Sequence, residues 1–107
     1  MPLNLAFATV PLSGTVSGAF SLKNTEQVAI WSPITTACSL MLLASFDTTS
    51  ANYLPVHDPR SPTTRLAFGI GAGSKMIVFG NVLWAISAKI QLSAAQTAPR
   101  SFAVITR

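Results

Sequence analysis

Trp84-Ala85-Ile86-Ser87-Ala88-Lys89-Ile90-Gln91-Leu92 is the stretch on which the fold class turns. Trp84, Ile86, Ala88, Ile90 and Leu92 recur at every second position, and Ser87, Lys89 and Gln91 lie between them. Side chains alternate from face to face along a strand, so this spacing predicts a strand with one apolar and one wet side. Working outward, Ser101 to Arg107 also reads as a strand, with Phe102, Val104 and Thr106 opposite Ala103, Ile105 and Arg107. Leu40 to Phe46 is apolar at both parities, the pattern of a strand buried between two layers. Weaker strand signals cover Leu3 to Val10, Thr15 to Leu22, Gln27 to Trp31, Asn52 to Val56, Arg65 to Phe68 and Met76 to Phe79.

Turn chemistry separates these runs. Pro11 to Gly14, Lys23 to Glu26, Asp47 to Ser50, His57 to Pro62, Gly69 to Gly73, Gly80-Asn81 and Ser93 to Pro99 are all rich in turn-forming residues. Short strands at spacings of about ten residues predict an all-β, single-domain antiparallel β-sandwich of jelly-roll-like type over residues 1–107. Residues 1–20, rich in Gly, Ser and Ala, form a candidate extended N-terminal arm that orders against a neighbour.

The composition is short of charge. Half of the residues are apolar, yet only 9% are Asp, Glu, Lys or Arg, against about 25% in typical soluble domains. A chain of 107 residues also buries a smaller fraction of its surface than a large one. Together these features predict that part of the surface is covered by partners or that the chain enters a membrane. The net charge is +4, but the seven cations are dispersed along the chain and no two are adjacent. Nucleic-acid binders gather such charges into a stripe, so direct binding to nucleic acid is not expected.

Neither is a membrane span. Gln27 to Phe46 is a twenty-residue run without charge, but Ser32, Pro33, Thr35, Thr36 and Ser39 interrupt it. The uncharged first 22 residues are broken by Asn4, Pro11, Gly14 and Gly18 and have no basic residue ahead of them, unlike a signal peptide.

Catalytic chemistry has few groups to draw on: Glu26, Asp47, Asp58, His57 and Cys38. His57 and Asp58 are neighbours, so on an extended backbone they point apart, and nothing supplies a group to orient a base beside Cys38. Cys38 is the lone cysteine, without the companions a disulfide or zinc site needs, and is expected as a small buried hydrophobe. Gly69 to Lys75 looks like a phosphate loop only at first sight. Serine precedes lysine, a strand pattern follows, and no carboxylate lies beyond Asp58 to hold magnesium. The expectation is a non-enzymatic protein with no catalytic, metal or cofactor site. Met76, Val78 and Phe79, from a run apolar at both parities, join the aromatics Trp31 and Tyr53 as the candidate subunit-interface residues.

Ser39 to Asp58, with its Ala44-Ser-Phe-Asp47 and Tyr53-Leu-Pro-Val-His-Asp58 segments, resembles a hairpin of small tailed-bacteriophage virion proteins. In them a Gly-rich break follows, then a Trp-led strand ending in a basic residue, a loop ending in Gln-x-Ala, and a terminal strand opened by Arg. Val82 to Lys89, Ala94-Ala-Gln-Thr-Ala98 and Arg100 to Arg107 are similar in the same order. The hairpin's usual Asp-Gly is Asp47-Thr48 here, which implies a longer or different turn. The resemblance covers about residues 28–107 and implies a β-sandwich on a virion. It implies a capsid decoration (cement) protein, made in the host cytoplasm, displayed on the capsid surface and bound to the major capsid protein, with homo-oligomers expected. A receptor- or glycan-binding module of the tail or fibre is the alternative.

Overall fold

The computed structural model describes residues 3–46, 52–58, 60–79 and 85–107. Eleven strands follow in chain order: β1 (Asn4–Val10), β2 (Phe20–Ser21), β3 (Val28–Ser32), β4 (Cys38–Ser45), β5 (Leu54–Pro55), β6 (His57–Asp58), β7 (Ser61–Arg65), β8 (Ala67–Ile70), β9 (Lys75–Phe79), β10 (Ser87–Leu92) and β11 (Arg100–Thr106). Sheet A has the order β1-β11-β3-β9, and sheet B the order β2-β10-β4-β5, with β8 also on β4. All pairings are antiparallel.

The pairings β1·β11, β2·β10, β3·β9 and β4·β8 are nested, so the chain is in effect one long hairpin. Rolling that hairpin up brings β11 beside β3 and β10 beside β4, and sends successive pairs to alternate sheets. The result is the expected all-β sandwich, with jelly-roll winding. The tip carries an excursion. Coming back toward β4, the chain lays β5 along Leu43 and Ala44, forms the β6–β7 hairpin, and then lays β8 along Cys38 to Met41.

Alternation decides the core. Ala8, Val10, Val28, Ile30, Ile77, Phe79, Phe102 and Val104 of sheet A face Phe20, Leu40, Leu42, Ile70, Ala88, Ile90 and Leu92 of sheet B, all buried. Burying one such large side chain stabilises the fold by roughly 1.5–3 kcal/mol. Phe68 and Phe79 link the layers edge to face, with ring centroids 5.4 Å apart. In β10 the inward set Ala88, Ile90 and Leu92 is the one the alternation predicts, while Trp84 lies outside the described residues. Asp47 to Ser50 and Gly80-Asn81 also lie outside them.

The strand expected over Leu3 to Val10 is β1, and every residue of 4–10 is in register with β11, from Asn4↔Thr106 to Val10↔Arg100, so this part of the candidate arm is built into the sheet. Two expected segments come out differently. Residues 15–22 form a strand only at Phe20–Ser21, with a single bridge at Val16. Between them the Ser17 hydroxyl accepts the Ile90 N–H at 2.9 Å, so a side chain replaces the ladder beside Gly18. Residues 65–68 are split at Leu66, whose N–H turns to the Val56 carbonyl at 3.0 Å.

The loop before β11 is fastened by Gln96, which is fully buried. Its Oε1 accepts the Thr36 N–H at 3.0 Å and Arg100 Nε at 3.2 Å, while its Nε2 donates to the Ala94 carbonyl and to Cys38 Sγ. Its own carbonyl accepts the Ser13 N–H. One glutamine thus ties together the 11–14 turn, the approach to β4 and the start of β11. In that turn Ser13 takes positive φ, and a Cβ on Gly14 would lie 2.7 Å from the Pro11 ring.

Candidate interaction surface

Sheet A turns its other face to solvent, and two adjacent rows of it are wholly apolar. Leu5, Ile105, Ala29 and Val78 are cross-strand partners in one row; Phe7, Ala103, Trp31 and Met76 are partners in the next. The peripheral members are well exposed: Leu5 62%, Phe7 65%, Met76 53% and Val78 67%, with Trp31 at 39% between them. The two middle strands carry Ile105 and Trp31 beside the small Ala29 and Ala103. Toward one end of the face lies a depression of about 180 Å³ bordered by Leu3, Gln27, Ala29, Val78 and Arg107.

Polar groups frame these rows. Thr9 and Ser101 share a 3.0 Å hydrogen bond in the row beyond Phe7, and Arg107 Nε donates to Gln27 Oε1 at the opposite end. Four strands about 4.8 Å apart, over four or five residues at about 3.4 Å each, give a flat area on the order of 300 Å². An apolar patch of that size is often functional, and an apolar middle inside a polar rim is the usual layout of a protein–protein contact.

Of the five candidate interface residues, the structure gathers Trp31, Met76 and Val78 on this face. Phe79 is not among them. It has the opposite parity to Val78, is 5% exposed, and packs in the core against Phe68. Tyr53 belongs to the other side of the molecule. Its hydroxyl lies 2.7 Å from Ser87 Oγ, and Lys89 Nζ sits 4.5 Å from its ring centroid, over the outer face of sheet B. Leu5 and Phe7 are the members that the sequence reading missed. The period-two run Leu3, Leu5, Phe7 within the strand expected over Leu3 to Val10 is the signal that identifies them.

The groups with chemical potential are occupied elsewhere. Cys38 Sγ accepts from Gln96, Asp58 accepts the Arg60 N–H at 2.9 Å and lies 3.6 Å from its guanidinium, and His57 is exposed on the β6–β7 hairpin. Most cations are also tied internally. Arg65 reaches the Leu42 carbonyl, Lys75 the Gly69 carbonyl, Lys89 the Tyr53 ring, Arg100 Gln96 and Arg107 Gln27. Among the described residues no group of His, Cys, Asp or Glu has metal-binding arrangement, and no helix is long and apolar enough to cross a membrane.

No protein-family model matches the chain, and no characterised protein matches it in sequence. Solved structures do match. YomS, derived from the SPBc2 prophage, superposes with a TM-score of 0.57 at 7% identity, over 99% of this chain and 95% of that one. The Yersinia pseudotuberculosis-derived mitogen YPM superposes with a TM-score of 0.44 at 10% identity, over 98% and 84% of the two chains. At such identities the likeness to YomS is one of fold.

Proposed function

We propose that this chain is a structural virion protein of a tailed bacteriophage, a capsid decoration protein that binds across major capsid protein subunits. Its role in this reading is mechanical and non-catalytic. The observation that carries the proposal is the bare outer face of sheet A, two rows of apolar side chains without a single charge. The shortage of charged residues throughout the chain supports it, as does a fold shared with a prophage-derived protein.

Docking of this face would remove apolar area from water at roughly 25 cal/mol per Å² before association costs are deducted. The face alone is smaller than a stable interface needs, against a second copy or the capsid protein alike. Stable interfaces bury about 1,200–2,000 Å² in total. Copies are proposed to meet on the shell and not in free solution. A tail or fibre adhesin would be favoured by Tyr53 or Trp31 exposed near a polar loop. The Tyr53 hydroxyl and ring instead engage Ser87 and Lys89, and Trp31, though exposed, stands between Ala103 and Met76 in the apolar rows of sheet A.

Cryo-electron microscopy of the particle with which the protein co-purifies tests the proposal. The expected map has density at repeated sites on an icosahedral shell, with sheet A turned toward the capsid protein. Density confined to the tail or fibres would overturn the decoration reading and establish the adhesin.

A further inference from the structure

The free edge of β1 is built unlike a protected edge. Among the described residues β1 pairs with β11 on one side and with nothing on the other. Edge strands are usually blunted by lysine, proline, a bulge or short length. Asn4–Val10 has seven residues, no charge, no proline and an unbroken register. The opposite edge of the sheet, β9, is shorter and opens with Lys75.

A slot lies beneath the same edge. Asn4 and Ala6 have the parity of buried Ala8 and Val10, yet they are exposed. There the two sheets stand apart, leaving a depression of about 260 Å³ lined by Asn4, Ala6, Ser21, Lys23, Val104 and Thr106. A strand laid along β1 would drop alternate side chains into this slot and set the others beside Leu5 and Phe7. Lys23 is the cation whose side chain has no bond or ring contact among the described residues, and no carboxylate lines the slot.

We infer that the free edge of β1 receives an extended segment of the partner protein, with alternating apolar and acidic side chains, as a fifth strand of sheet A. The occupant is not a second copy of this chain. Antiparallel pairing of β1 with its twin would bring two slots together, each with Lys23 and neither with an acidic group, in a protein of net charge +4. The inference rests on the shell-binding reading and extends it. Face and edge together supply the area that the face alone lacks, and the edge adds backbone hydrogen bonds with a defined register.

Hydrogen–deuterium exchange of the whole protein tests this in three states: alone, bound to shells lacking it, and with the octapeptide (Glu-Val)4. The expected result is at least tenfold slower exchange within residues 4–10 on shells and with peptide. Ala6→Glu, which places an anion in the slot at an exposed position, should weaken both interactions at least tenfold while the melting temperature stays unchanged. Shell binding with unchanged exchange in β1 would overturn the edge inference and leave the decoration reading standing. Protection by the peptide without any binding to shells would do the reverse. A β1-protected dimer of the free protein, indifferent to peptide, would show that the occupant is a second copy and overturn the inference.

Discussion

The outer faces of the two sheets begin from similar strand chemistry and are finished in different ways. On sheet B, β4 presents Met41 and Leu43 outward beside Lys89 and Gln91 of β10, and the chain then covers part of this face itself. The segment leading into β5 brings Tyr53 over it, and Ser45 and Ser87 are buried although they point away from the core. On sheet A no described segment returns over Leu5, Phe7, Trp31, Met76 and Val78, and they stay exposed. Apolar side chains such as Met41 and Leu43 on an outer face are therefore no sign of a partner by themselves. What distinguishes sheet A is that its apolar rows have no covering segment among the described residues.

The largest effects should separate the two sides of one strand. Phe79→Ala should destabilise the protein by about 3–5 kcal/mol, because a fully packed ring leaves a cavity, whereas Val78→Ala one residue earlier should stay within about 0.5 kcal/mol. Denaturant titration of both variants checks this, and equal losses would mean that the inside and outside of β9 have been confused. Val78→Asp should keep that stability and lose binding to shells at least a hundredfold in a co-sedimentation assay.

A middle-sized effect tests the covered face. Tyr53→Ala removes the contact with Ser87 and the cation–π contact with Lys89, and should cost about 1–2 kcal/mol. The same titration reads it. No measurable loss would show that sheet B is as open as sheet A and weaken the contrast. The smallest effect belongs to Phe7→Ser on the bare face, expected within about 0.5 kcal/mol. Its signature is higher solubility and weaker binding of a hydrophobic dye, and a clear drop in melting temperature would mean that Phe7 packs within the fold.

Much of the architecture was legible because alternation is a local property. Ala88, Ile90 and Leu92 declare their inward side against the polar Ser87, Lys89 and Gln91. Lys75 to Phe79 does not, because Met76 and Val78 are as apolar as Ile77 and Phe79. Parity alone does show that Val78 and Phe79 cannot share a face. The 15–22 segment misled for another reason: Ser17 takes over a ladder bond with its side chain, which no hydrophobic pattern reports. Gln96 stood in a recognisable loop, but its burial and its several partners come from segments far apart in the chain.

By itself the sequence determined the strand periods, the turns between them, the all-β class and the scarcity of charge, since each follows from neighbouring residues or from composition. Tertiary structure alone decided which apolar face became core, that β1 closes sheet A against β11, and that Leu5 and Phe7 join Trp31, Met76 and Val78 in one patch. Those outcomes depend on pairings between residues as distant as Asn4 and Thr106. A single strand carries no information about which partner will cover either of its sides.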